Sequence, residues 1–214
     1  MKLSKYALIV AGLVSSASVM AETTTAVPAV GGNPTGTINI NGVIRTSTCS
    51  IGSPSTTDVV FNISKADISA ATLGSILTKD PTPITIHVSS CKDTALGMTV
   101  AASVSDKYSP IHGFFGRSKD PDPQDPDHAL CYLVGLKDDP VVSGGDTATD
   151  PGYHILKVNT AASRISPVII KDTSGSGEFD LSLVTKVARS WQPFSPDRLK
   201  SVLHTTYTYT FTYV

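Results

Sequence analysis

Cysteine is scarce in this chain, with three residues among 214, and tryptophan occurs once. No two cysteines form a C-x-x-C pair, so the usual zinc-finger and dithiol arrangements are excluded. No H-E-x-x-H, G-x-S-x-G or Walker-type glycine loop occurs, which removes the common sequence signatures of zinc proteases, α/β-hydrolases and P-loop enzymes. Five histidines, His87, His112, His128, His154 and His204, stand singly without ligand spacing. Charge is low at 16% of residues and nearly balanced, 17 basic against 18 acidic. No basic stripe offers a path for a phosphate backbone, so a nucleic-acid partner is not expected. Nothing indicates a catalytic residue, a cofactor or a metal site.

Long apolar runs are also missing. The longest, Tyr6 to Val14, follows Lys2 and Lys5 and precedes Val19-Met20-Ala21. It falls well short of the roughly 20 residues a spanning helix needs. Small residues at minus three and minus one suit signal peptidase, so residues 1–21 read as a secretory signal and the mature chain as starting at Glu22. Without its two lysines the chain carries 15 basic and 18 acidic residues. In an exported protein three cysteines imply one disulfide and one thiol left over. Cys49, Cys91 and Cys131 allow three pairings, and a Cys49–Cys91 loop would remove about 4 kcal/mol of chain entropy from the unfolded state.

What is abundant is alternation. Residues 205–214, TTYTYTFTYV, place Tyr207, Tyr209, Phe211 and Tyr213 on one face and threonines on the other. Period two with β-branched and aromatic residues predicts a strand. Ile38, Ile40, Gly42 and Ile44 alternate with polar residues in the same way, after a Pro- and Gly-broken arm at 22–36. Further runs occur at Val59, Phe61, Ile63; Ile84, Ile86, Val88; Met98, Val100, Ala102, Val104; Leu130, Tyr132, Val134, Leu136; Leu156, Val158; and Phe179, Leu181, Leu183. This spacing predicts an all-β antiparallel sandwich, with one short helix between Ala66 and Leu77.

Two stretches break the rhythm. Residues 106–128 are rich in Asp-Pro steps and read as an extended surface loop. Residues 187–202 form a second irregular insert around the only tryptophan. Asp120, Asp122, Asp125 and Asp127 would suit calcium by type, yet Asp125 stands where a helix-loop-helix site needs glycine, and Cys131 where it needs glutamate. A solvated acidic loop is the plainer reading. The 31–36 segment GGNPTG precedes a strand and opens no helix, so it does not read as a phosphate loop. The closing strand carries no proline or charge to blunt an exposed edge, which suggests a strand built to accept a neighbour.

These residues carry a resemblance to the subunits of chaperone-usher pili, the type 1 or P-like fimbriae of Gram-negative bacteria. GTININGVIRTSTC, ending at Cys49, is similar to the family's N-terminal motif. ITIHVSSCKD resembles the strand bearing the second disulfide cysteine, and TYTFTYV resembles the closing strand with its penultimate tyrosine, here Tyr213. The resemblance covers both ends and the cysteine pair, and loosens between about residues 100 and 200.

The resemblance implies a Cys49–Cys91 disulfide with Cys131 reduced, and an incomplete immunoglobulin-like sandwich completed by a donor strand from another chain. Residues 22–45 would be the N-terminal arm, with donor-strand residues Ile38, Ile40, Gly42 and Ile44, and residues 46–214 the pilin domain. Tyr207, Tyr209, Phe211, Tyr213 and Val214 would line the acceptor groove. A periplasmic chaperone would fill that groove first, holding the carboxylate of Val214. The arm of another fimbrial subunit would then replace it at the outer-membrane usher, so the protein would pass through the periplasm to a surface fimbrium supporting cell adhesion. The two inserts and the third cysteine depart from the family pattern, and fit a minor, adaptor or tip-proximal subunit as well as the main shaft protein. A second reading has Phe114, Phe115 and the Asp-Pro loop touching a host receptor; a third is a free periplasmic β-sandwich enzyme or carbohydrate-binding module.

Overall fold

The computed structural model describes residues 35–45, 49–78, 81–106, 109–116, 123–158 and 166–214. The expected signal segment and most of the expected arm lie outside them. Twelve strands and one short helix are present among the described residues: β1 (Thr35–Arg45), β2 (Ser50–Ile51), β3 (Asp58–Asn62), α1 (Lys65–Ala70), β4 (Ile84–Ser89), β5 (Ala95–Ala102), β6 (Gly113–Phe114), β7 (Leu130–Lys137), β8 (Val142–Ser143), β9 (Tyr153–Ile155), β10 (Val168–Lys171), β11 (Phe179–Arg189) and β12 (Val202–Tyr213). They form two sheets in a sandwich-like arrangement. One has the order β3-β1-β12-β5-β10-β8; the other runs β2-β4-β11-β7-β6, with β9 also pairing β7.

Alternation explains how the sheets meet. Ile84, Ile86 and Val88 of β4 and Leu181 and Leu183 of β11 are buried between the sheets, as are Met98 and Val100 of β5 and Tyr207, Tyr209 and Phe211 of β12. β7 departs from simple alternation because both its faces are covered. Leu130, Tyr132, Val134 and Leu136 enter the main core, while Cys131 and Leu133 join a second cluster with Ile111, Phe114, Ile155 and Ala188 on the outer side. A strand covered on both faces carries apolar residues at successive positions.

That second cluster corrects part of the expected 106–128 surface loop, of which residues 107–108 and 117–122 lie outside the described ones. Ile111, His112, Phe114 and Phe115 are buried, and so are Gln124 and Asp125. β6 pairs with the start of β7 and sends Phe114 into the outer cluster and Phe115 into the main core. Phe115 sits 5.3 Å from Phe61 and 5.8 Å from Tyr132, centroid to centroid. Neither phenylalanine is available to touch a receptor. Asp125 accepts hydrogen bonds from the amides of Ala129 and Leu130, and burial raises its pKa against the pull of those amides. Asp127 pairs with Arg198. Asp120 and Asp122 lie outside the described residues, among which no His, Cys, Asp or Glu cluster suited to a metal occurs.

Smaller differences have local causes. α1 covers six residues from an N-cap at Ser64, whose hydroxyl accepts from the Asp67 amide, and ends at Ala71. Leu156 and Val158 are buried but follow the end of β9. The irregular insert narrows, because β11 continues to Arg189 and β12 begins at Val202.

Cys49 and Cys91 are disulfide-bonded, and Cys131 is a buried thiol. Burial, reinforced by the charges of Asp106 and Asp125 and opposed by Arg189, pushes the Cys131 thiol up to about 12. Thiolate is the reactive form, so Cys131 is expected to resist alkylation in the native protein and to react stoichiometrically in denaturant. Counting thiols with an iodoacetamide probe under both conditions checks this.

Candidate strand-acceptor groove

β12 is bordered on one side by β5 and on the other by β1. The β5 pair is antiparallel, from Tyr207 opposite Ala102 to Tyr213 opposite Leu96. The β1 pair is parallel, and it runs from Thr35 beside Val202 to Arg45 beside Thr212. It is the one parallel pair among the described ladders, since β1 meets β3 antiparallel, from Thr35 with Asn62 to Asn39 with Asp58. The strand expected to await a neighbour from another chain therefore has the chain's own N-terminal strand beside it. Without β1, a gap one strand wide would separate β3 from β12.

Side chains of β1 fill that gap from above the core. Ile38 is fully buried and Ile40 is 2% exposed. Gly36, which is buried, and Gly42, which is exposed, continue the same period-two series. A Cβ at Gly36 would lie 2.4 Å from the Phe61 ring and 2.6 Å from the Leu203 carbonyl oxygen. A Cβ at Gly42 would lie 2.5 Å from the Tyr209 hydroxyl and 2.6 Å from its Cζ. Gly36 therefore needs glycine, because the Leu203 backbone blocks a side chain there, whereas at Gly42 a side chain would have to push aside the far end of the Tyr209 ring. Gly42 is one of the expected donor-strand residues; Gly36 was read as part of the flexible arm. Its membership of the period-two series, two residues before Ile38, was the available signal. The side chain of Ile44 lies outside what is described, although its backbone pairs with Phe211.

The groove floor carries no charge at ordinary pH. Tyr207 is 1% exposed and its hydroxyl shares a 2.9 Å hydrogen bond with that of Thr185. Burial raises the Tyr207 pKa, opposed by that bond, and burial likewise raises that of Tyr209. Both phenols stay protonated, so the surface they present to β1 is uncharged. Tyr213 lies at the end of the groove and is 38% exposed. Its hydroxyl accepts a 2.9 Å hydrogen bond from the Cys49 amide, tying the base of the arm to the closing strand. Val214 is exposed, with its amide donating to the Ala95 carbonyl.

A Gly42→Leu protein is expected to lose about 1–3 kcal/mol, the usual cost of overpacking. The loss should shrink in a Tyr209→Ala background, where the ring is gone, because residues in contact do not act additively. Urea midpoints of the four proteins in this cycle check the coupling.

Compared with known proteins, the chain matches no protein-family model and no curated sequence.

Proposed function

We propose that this protein is a non-enzymatic structural subunit of a chaperone-usher fimbria, polymerising by donor-strand exchange and supporting cell adhesion, in a minor or adaptor position. The observation that supports this most is the lodging of β1 between β3 and β12, parallel to β12, with Ile38 and Ile40 as its apolar anchors. The sandwich is all-β without being complete in itself: β1 supplies the strand between two others, and only the residues before Cys49 would have to move to vacate it. A parallel ladder is slightly weaker per residue than an antiparallel one, so such a strand is replaceable. In this reading the sandwich is a pilin fold, and β1 is the donor strand resting in its own acceptor groove. A periplasmic chaperone, the usher and the arms of other subunits are the partners that compete for that place. Main-chain hydrogen bonds supply affinity, and the pockets over Ile38, Ile40 and Gly42 set register, as in other strand-addition complexes.

Exchange is directly measurable. A labelled peptide of residues 35–45 is expected to enter the protein slowly, displace β1 and remain bound through gel filtration. The same peptide carrying Gly42→Leu is expected to be excluded. If neither peptide enters over days just below the unfolding midpoint, β1 is a permanent strand and the fimbrial reading fails.

A further inference from the structure

Away from the groove, α1 and the insert before β12 border an open depression of about 320 Å³ lined by Ser69, Leu73, Arg189, Phe194 and Pro196, among others. Its feature is a buried cation without an anion. Arg189 is 6% exposed. Its Nη1 donates to the carbonyls of Ala129, at 2.8 Å, and Ser190, at 3.0 Å. No carboxylate of the described residues pairs with it, whereas Lys186 pairs with Asp150 and Arg198 with Asp127. Nε and Nη2 make no hydrogen bond among the described residues. They are also absent from the sealed, unsatisfied atoms, which are His112 Nδ1, Asp127 Oδ2, His128 Nδ1 and Ser201 Oγ. The Nε and Nη2 edge therefore reaches accessible space, and it is a planar two-donor fork suited to a carboxylate.

The surroundings narrow the ligand. No acidic residue among the described residues lines the depression. A second cation stands close by, because Lys65 Nζ donates at 2.7 Å to the carbonyl of Pro196. Polar atoms make up most of the accessible lining, and apolar surface comes from Phe194, whose ring lies 5.7 Å from the Arg189 guanidinium carbon, and from Leu73, which is half exposed. Beyond Leu73, the exposed Trp191 indole lies against Gly74. A volume near the lower end of small-ligand sites accommodates one ring-sized group.

The geometry points to a binding site for a carboxylated monosaccharide unit, a uronic or sialic acid residue of a glycan, with its carboxylate on the Nε and Nη2 edge of Arg189 and its apolar C–H face against Phe194 and Leu73. This site is independent of strand exchange. It also lies apart from Phe114 and Phe115, whose burial removes them from any surface.

Trp191, the only tryptophan in the sequence, serves as reporter. The mature protein is titrated with sodium glucuronate, N-acetylneuraminate, glucose and N-acetylphenylalanine, following Trp191 emission and backbone amide resonances. Both sugar acids should saturate, with Kd on the order of 1 mM for one charge-assisted fork and one apolar face. The amides of Ser69, Leu73 and Phe194 should shift, and glucose should produce no saturable change. Arg189→Gln should abolish binding, and since Arg189 also holds two carbonyls, the exposed Ser69 supplies a variant that leaves them intact. Ser69→Glu places a carboxylate in the same depression and should weaken sugar-acid binding by at least about tenfold, while Ser69→Gln should not. Failure of both acids to saturate, equal binding of glucose, or undiminished binding by Ser69→Glu overturns the site. Binding of N-acetylphenylalanine alone overturns the sugar assignment in favour of peptide carboxylates.

Discussion

Removing residues 22–45 is expected to leave a chain without a cooperative unfolding transition at room temperature, and a peptide of residues 35–45 is expected to restore one. The size of the effect follows from what β1 touches. Its loss uncovers Phe61, Leu203, Tyr207 and Tyr209, all buried, and deletes Ile38 and Ile40, each contributing about 1.5–3 kcal/mol by burial. It also unpairs β12 along eleven positions and β3 along five, leaving two ladder edges open to water and to other chains. Domains of this kind are stable by only about 5–15 kcal/mol, so losses of this order consume most of the margin. Added peptide binds only the folded form and stabilises it by mass action, about 2.7 kcal/mol at a hundred times its Kd. Circular dichroism melts with and without peptide measure both halves. A truncated chain that melts as sharply as the intact one would mean that β1 is dispensable, and the groove would lose its significance.

The second large effect is expected at the disulfide. Replacing Cys49 and Cys91 together by alanine should cost about 4 kcal/mol, the loop-closure entropy for the 42-residue separation. With a urea dependence of about 2 kcal/mol per molar, the midpoint falls by roughly 2 M. Both residues are replaced because a single change would leave a reactive thiol. Cys49 follows closely on β1, and its amide is bonded to the Tyr213 hydroxyl. The loss should therefore reach the arm as well as the core. Amide hydrogen exchange along β1 should accelerate more than along β4 or β11, a distribution that global destabilisation alone does not produce.

Much of this fold could be read in the sequence because half-buried strands write their burial into a period of two. β1, β3, β4, β5, β11 and β12 carry that signature, while β7 shows it only in the series Leu130, Tyr132, Val134 and Leu136, because its other face is covered as well. β10 does not, since Val168-Ile169-Ile170 is a short continuous apolar run after Pro167, and β2, β6 and β8 at two residues each are too short to show a period. The groove residues were legible as a strand, but their partner was not. Alternation is the same read in either direction, so it specifies neither a parallel neighbour nor whose chain provides it. Phe114 and Phe115 read as exposed because Asp-Pro steps at 120–126 follow them closely, whereas Phe114 is buried in the outer cluster on β7 and Phe115 in the main core. Arg189 was hidden for the opposite reason: a lone cation in an irregular, polar stretch reads as solvated until the burial of its neighbours is seen.

The register of β1 on β12 also sets a timetable. Thr35 pairs with Val202 and Arg45 with Thr212, so one of the first strands of the domain closes on the last. A contact between such distant parts of the chain forms late and slowly, because the loop between them must be ordered first. A chain emerging amino terminus first can pair β1 with β3 early, but holds it without its β12 partner until β12 has been synthesised. Once β12 has arrived, and until β1 closes on it, the β12 edge is open, and a competing strand can settle there without evicting anything. The speed of this last closure, rather than the stability of the closed protein, then decides which strand arrives first.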